Sequence, residues 1–178
     1  MDTTISPANT IGVLFVCMGN ICRSPTAEGV FRHAVARAGL AARIHVDSAG
    51  TGDWHVGHPP DHRAIAAARK RGYDLATLRA RQVNATDFAR FGWILAMDRA
   101  NLRALEGLRP DGFGGHLGLF LDFVPDAALV EVPDPYYGEL EAFERVLDLT
   151  EHGSKALLSA LQGHIEQRSV ERARKPVS

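Results

Sequence analysis

The chain has 178 residues and a mass of 19.3 kDa, 46% hydrophobic and 23% charged, which fits one compact domain that needs no disulfide or metal staple. Its 20 Lys and Arg against 21 Asp and Glu give a net charge of −1, arguing against a general nucleic-acid binder, which requires a basic surplus. Cys17 and Cys22 are too few for a secreted disulfide framework, and neither a signal peptide nor an apolar run of membrane-spanning length is present, so a cytoplasmic location is expected.

Ile11–Cys17 is a nearly continuous apolar run and reads as a strand buried on both faces, as in parallel sheets. Helical spacing follows from Pro25 to Leu40, with Val30, Phe31, Ala34, Val35 and Ala38 on one stripe and Gly39 at the stop. Ser24 is the expected cap, Pro25 suits the first turn, and Glu28 is expected in the positive first turn. A second strand is predicted at Arg43–Asp47, leading into the loop Ser48–Gly52, and a helix near Asp61–Arg71. Gly92–Met97 predicts a third strand, Asn101–Leu108 a short helix and Leu117–Asp122 a weaker fourth strand. After the loop Pro133–Gly138, Leu140–Leu161 predicts the longest helix, with Leu140, Phe143, Leu147, Leu157 and Leu161 near one face. Alternating strands and helices predict a single-domain α/β fold: a parallel sheet with helices on both faces. The domain is expected over residues 9–163, with frayed tails at 1–8 and 164–178, the latter mildly basic through Arg168, Arg172, Arg174 and Lys175.

The segment Cys17-Met18-Gly19-Asn20-Ile21-Cys22-Arg23-Ser24 joins the first strand to the first helix, beyond the carboxyl end of a strand, where ligands bind in open α/β sheets. Its length suits a curl around one tetrahedral anion, with backbone N–H groups pointing inward and the helix N-terminus behind them. Gly19 and Asn20 are residue types that tolerate the positive φ such a curl needs. A cysteine in that field is a candidate nucleophile, Arg23 a planar fork for two phosphate oxygens, and Ser24 a donor to the sulfur. Taken singly, Cys17 reads first as a buried strand-end residue and Arg23 as a solvated helix start; the eight residues together favour phosphate chemistry.

Val16 to Pro25 resembles the signature of the low-molecular-weight protein tyrosine phosphatase family. Asp134-Pro135-Tyr136-Tyr137-Gly138 resembles that family's second signature, and Asp47–Thr51, Trp54–Gly57, Ala80–Gln82 and Met97-Asp98 are further similar blocks, over about residues 11–162. The resemblance implies a four-stranded parallel sheet, no metal or cofactor, and a phosphocysteine on Cys17 held by Arg23 and the loop amides. It also implies Asp134 as general acid and then base, Asn20 and Ser48 as mutual braces of the loop, and Trp54, Tyr136 and Tyr137 as walls for the substrate ring. Without the resemblance, Asp134 reads as a turn aspartate and the two tyrosines as partly exposed packing, although Pro133 and Pro135 would stiffen a loop carrying an acid. Implied partners are a phosphotyrosine protein as substrate and phosphate or other oxyanions as inhibitors, for a monomer or weak dimer.

One family position is not met: Leu78 stands where a histidine would help orient the loop asparagine, so Asn20 must find Ser48, water or another partner. Cys22 is either a redox partner able to form a protective disulfide with Cys17 or a small buried side chain lining the loop. His55, His58 and His62 do not make a credible zinc site, because Pro59 and Pro60 break any shared helical face and Arg23 repels a cation. The charges Arg63, Arg69, Lys70 and Arg71 read as a solvated helix face. Two other functions compete: an arsenate reductase, which would need further cysteines after Cys22, and a silent phosphate-binding module, which would lack a nucleophile, arginine or acid. Ile21 with Tyr136 and Tyr137 favours an aromatic substrate over phosphoarginine.

Overall fold

The computed structural model describes residues 10–174. Strand β1 (Ile11–Cys17) is buried along its whole length because it has a parallel neighbour on each side, β2 (Ile44–Gly50) and β3 (Trp93–Ala96). With β4 (His116–Leu119) beyond β3, the sheet has four parallel strands in the order β2-β1-β3-β4. The helices are α1 (Arg23–Arg37), α2 (His62–Lys70), α3 (Asp87–Arg90), α4 (Arg99–Leu108) and α5 (Leu140–Arg174).

Alternation along β1 divides the core between the two faces of the sheet. Val13, Phe15 and Cys17 face one apolar cluster with Phe31 of α1 and Leu157, Leu161 and Ile165 of α5. Leu14 and Val16 face the other, with Phe88, Phe91 and Leu105. Phe15 is fully buried and meets Phe31 and Phe120 edge-on, at centroid distances of 5.7 and 5.0 Å. A third cluster ties α1, α2 and α5 through Val30, Ala64, Ala67, Phe143 and Leu147.

The α/β architecture agrees with the sequence, while several boundaries do not. Helix α1 begins at Arg23 with Cys22 in the capping position and no side-chain cap, so Ser24 is freed for the site. Glu28 lies beyond the first turn and is buried rather than set against the helix N-terminus. The fourth strand ends at Leu119, where the chain tightens into a 3-10 turn over Phe120–Phe123. Helix α3 carries no sequence periodicity because it is a single turn. Helix α5 does not stop at Leu161: it continues to Arg174, held by buried Ile165 and by His164 packed edge-on to Trp93 at 5.8 Å. Residues 164–174, expected as a tail, are therefore helical, while the expected tail at 1–8 and residues 175–178 lie outside the described residues. Among the described residues no helix is long and apolar enough to cross a membrane.

Candidate active site

The carboxyl ends of β1, β2 and β3 converge on the Cys17–Ser24 loop. In-register pairing sets Cys17 beside Gly50, and the crossing is close: a side chain at Gly50 would come within 2.7 Å of the Met18 carbonyl. Thr51 and Gly52 then donate their N–H groups to the carbonyls of Cys17 and Met18 at 2.9 Å each. Of the two residues expected to need positive φ, only Asn20 has it, at 55°. Gly19 serves a different need, since an added Cβ there would press on the His55 ring at 3.0 Å.

The Cys17 sulfur receives the Asn20 N–H at 3.3 Å and lies 3.0 Å from the Ser24 hydroxyl. Asn20 is satisfied without the missing histidine. Its amide donates to Ser24 and to Ser48, each at 2.9 Å, and its carbonyl oxygen accepts the Arg81 N–H at 2.9 Å. Ser48 in turn donates to Glu28 at 2.5 Å. Burial pushes the Glu28 carboxyl above its ordinary range, against the hydrogen bond from Ser48 and the charge of Arg32. Leu78 packs instead on the apolar cluster between α1, α2 and α5.

Arg23 is almost wholly buried. Its Nη1 donates to Asp98 at 2.6 Å and to the Val132 carbonyl at 3.2 Å, and its Nη2 to Asp134 at 3.3 Å. Burial opposes its charge, yet Cys17, Asp98 and Asp134 together hold the guanidinium above the usual arginine range. Asp98 also caps α4 through the Asn101 N–H at 2.7 Å. The sequence carried a signal for Asp98 in the Met97-Asp98 block, because it follows β3 where that strand ends beside β1. Arg81 likewise lies in the Ala80–Gln82 block, but neither that block nor the expected helix-start place of Glu28 gave their roles, which depend on which helix and loop pack behind Asn20.

A cleft of about 450 Å³ opens above the loop, lined by Cys17, Arg23 and Asp134 at one end and by Trp54, Tyr136 and Tyr137 toward solvent. Met18, Gly19, Ile21 and Cys22 complete its floor, and His55, which the sequence did not suggest for this role, lines it beside Trp54. Tyr136 and Tyr137 are set edge-to-face at 4.9 Å. Trp54 lies over Gly52, where any side chain would collide with its ring at 2.1 Å. Asp134 is half exposed; one carboxylate oxygen faces Arg23 and the other accepts the Tyr136 N–H at 3.1 Å. Cys22 is buried, and burial with the negative charges of Asp61, Cys17 and Asp134 pushes its thiol well up, so it stays protonated at neutral pH. The arrangement joins the Cys17 sulfur, the Arg23 guanidinium and the Asp134 carboxylate in one cleft with an aromatic mouth.

Comparison with known proteins places these features in a family. The family model for low molecular weight phosphotyrosine protein phosphatases matches residues 12–167. The chain is 43% identical over 152 residues to the low molecular weight protein-tyrosine-phosphatase YfkJ of Bacillus subtilis, covering 85% of this chain and 96% of that protein. It is 46% identical over 134 residues to the low molecular weight phosphotyrosine protein phosphatase of Schizosaccharomyces pombe, covering 75% and 85%. Among solved structures, a protein tyrosine phosphatase from Entamoeba histolytica superposes with a TM-score of 0.83 at 36% identity, covering 87% of this chain and 99% of that one. The chain therefore belongs to the low molecular weight phosphotyrosine protein phosphatase family and is a protein-tyrosine phosphatase.

Proposed function

We propose that the enzyme hydrolyses phosphotyrosine on protein substrates through a phosphate ester of Cys17. The thiolate attacks phosphorus in line, forming an S–P bond as the P–O bond to the tyrosine breaks. Asp134 gives its proton to the departing phenolic oxygen, a contribution of about 10²–10⁴-fold in such reactions. Arg23 and the N–H groups of residues 18–24 hold the equatorial oxygens and stabilise the charge spread over them. In the second step Asp134 takes a proton from water as that oxygen attacks phosphorus. The S–P bond breaks, and inorganic phosphate and the thiolate are released. Asn20, braced by Ser48, keeps the loop curled, and Trp54 with Tyr136 and Tyr137 receives the ring. The catalytic body, expected over residues 9–163, takes in the α5 turn that carries buried Ile165, and the reducing cytoplasm suits its free cysteine pair.

The observation that carries this reading is the meeting of Cys17, Arg23 and Asp134 in one cleft with an aromatic mouth. Rapid acid quenching of the enzyme with a phosphotyrosine peptide is expected to leave phosphate on the Cys17 peptide, read by mass spectrometry. Phosphoserine, phosphoarginine and arsenate, offered in parallel, are expected to turn over poorly, and phosphate and vanadate to compete with substrate. The Cys17→Ser protein should lose turnover yet bind vanadate or phosphate, because Arg23 and the loop amides remain. Full activity of Cys17→Ser would end the covalent reading.

A further inference from the structure

Arg63, which the sequence suggested was one of several solvated charges on α2, makes hydrogen bonds through all three nitrogens of its side chain. It stands in the first turn of α2, and its Nε and Nη2 grip both oxygens of the helix-capping Asp61 at 3.0 and 2.8 Å. The backbone N–H of that same Asp61 donates to the carbonyl of Ile21, inside the phosphate loop, at 2.7 Å. Beyond Asp61, Arg63 Nη2 donates to the Tyr136 carbonyl at 3.0 Å and Nη1 to the Gly138 carbonyl at 3.4 Å. Its guanidinium lies 4.5 Å from the Phe143 ring centre and 5.7 Å from that of Tyr136.

The segment so gripped is the one that carries Asp134, and it has no regular secondary structure to hold it. Upstream of Asp134 the segment is fixed where the Val132 N–H donates to the Met97 carbonyl at 2.8 Å. The direct contact from Asp134 to Arg23 faces the guanidinium that phosphate would engage, so substrate competes with it. Downstream, the Tyr136 peptide is held from both ends: its N–H bonds the Asp134 carboxylate, and its carbonyl bonds Arg63.

We propose that Arg63 is a positioning residue that fixes Asp134 and the Tyr136 wall relative to the phosphate loop, with Asp61 as the rigid link. The inference rests on Asp134 being the proton donor. An arginine fork can bind a carboxylate and two carbonyls at once, whereas a lysine is a point charge that cannot span them. Loss of Arg63 leaves Asp134 in place chemically but lets its oxygen wander, and misplacement costs proton transfer more than it costs phosphate binding.

The test uses the full chain with two substrates that differ in leaving group, phenyl phosphate and p-nitrophenyl phosphate. Arg63→Ala is expected to lower kcat/KM, which reports the steps up to P–O cleavage and not the hydrolysis common to both substrates, by about tenfold or more on phenyl phosphate and by less than about threefold on p-nitrophenyl phosphate, since the better leaving group depends less on protonation. Arg63→Lys, which keeps the charge and the stem, should show the same skew in smaller measure and decides the matter if Arg63→Ala does not fold. Equal losses on both substrates, or none, would overturn the inference and leave Arg63 a helix-surface residue. Asp134→Ala is run alongside. If it skews the two rates and the Arg63 variants do not, the link through Arg63 is wrong. If Asp134→Ala produces no skew, the proton-donor reading is wrong and the inference falls with it.

Discussion

At the scale of single residues, the two cysteines have opposite characters despite lying in one loop. Cys17 takes hydrogen bonds at its sulfur, while Cys22 is buried beside negative charges that hold it as a thiol. Brief treatment with iodoacetamide near pH 7 should therefore label Cys17 well before Cys22, read by peptide mapping; preferential labelling of Cys22 would contradict the assignment. Glu28 offers a second test. Its folded-state proton affinity is raised by burial, so the folded chain binds more protons than the unfolded one just above the ordinary glutamate range. The stability this gives is present at low pH and fades as pH rises through the raised value. Glutamine can still accept from Ser48 but does not ionise, so Glu28→Gln should gain melting temperature relative to wild type at pH 7 compared with pH 4. A difference independent of pH would show that burial does not govern Glu28.

At the scale of elements, the site is a junction of strand ends. Gly50 closes β2 against the Met18 carbonyl, and Asp98 both caps α4 and holds Arg23. Gly50→Ala is expected to displace the phosphate loop and reduce kcat/KM more than it reduces folding, seen as weakened vanadate binding by a protein that still melts cooperatively. Unchanged vanadate affinity would mean the loop adapts. Asp98→Ala leaves a buried guanidinium short of its closest partner, a change that typically costs about 3–5 kcal/mol; chemical denaturation measures it, and a loss near zero would show that Val132 and Asp134 suffice. The strand β1 and the helix α1 were legible because apolar runs and helical spacing are local properties. The early end of β4 was not, because the 3-10 turn over Phe120–Phe123 is imposed by packing of Phe120 against Phe15.

At the scale of the molecule, α5 runs from behind the site to the far end of the sheet, and among its described side chains the last buried one is Ile165. Truncation after Leu161 removes Ile165 and the His164 contact to Trp93 and is expected to cost about 1.5–3 kcal/mol, the range for exposing one large aliphatic side chain. Truncation after Ser169 should cost much less, by thermal or urea melting, and equal losses would place the stabilising contacts beyond Ser169.

The sequence by itself determined the parallel α/β sheet, the phosphate loop at the end of β1, and Cys17, Arg23 and Asp134 as the groups to watch. The sheet and the loop with Cys17 and Arg23 follow from local periodicity and from residue types clustered within a short motif, whereas Asp134 stood out only through the resemblance of Asp134–Gly138 to a family signature. Only the tertiary structure decided what holds those groups: Asp98 on Arg23, Glu28 behind Ser48, the Arg81 backbone in place of a histidine, and Arg63 across the Asp134 loop. These partners come from strands and helices distant in sequence, and their meeting is set by how the chain packs. Charge and spacing along the chain alone cannot distinguish an arginine in water from one clamped between two loops.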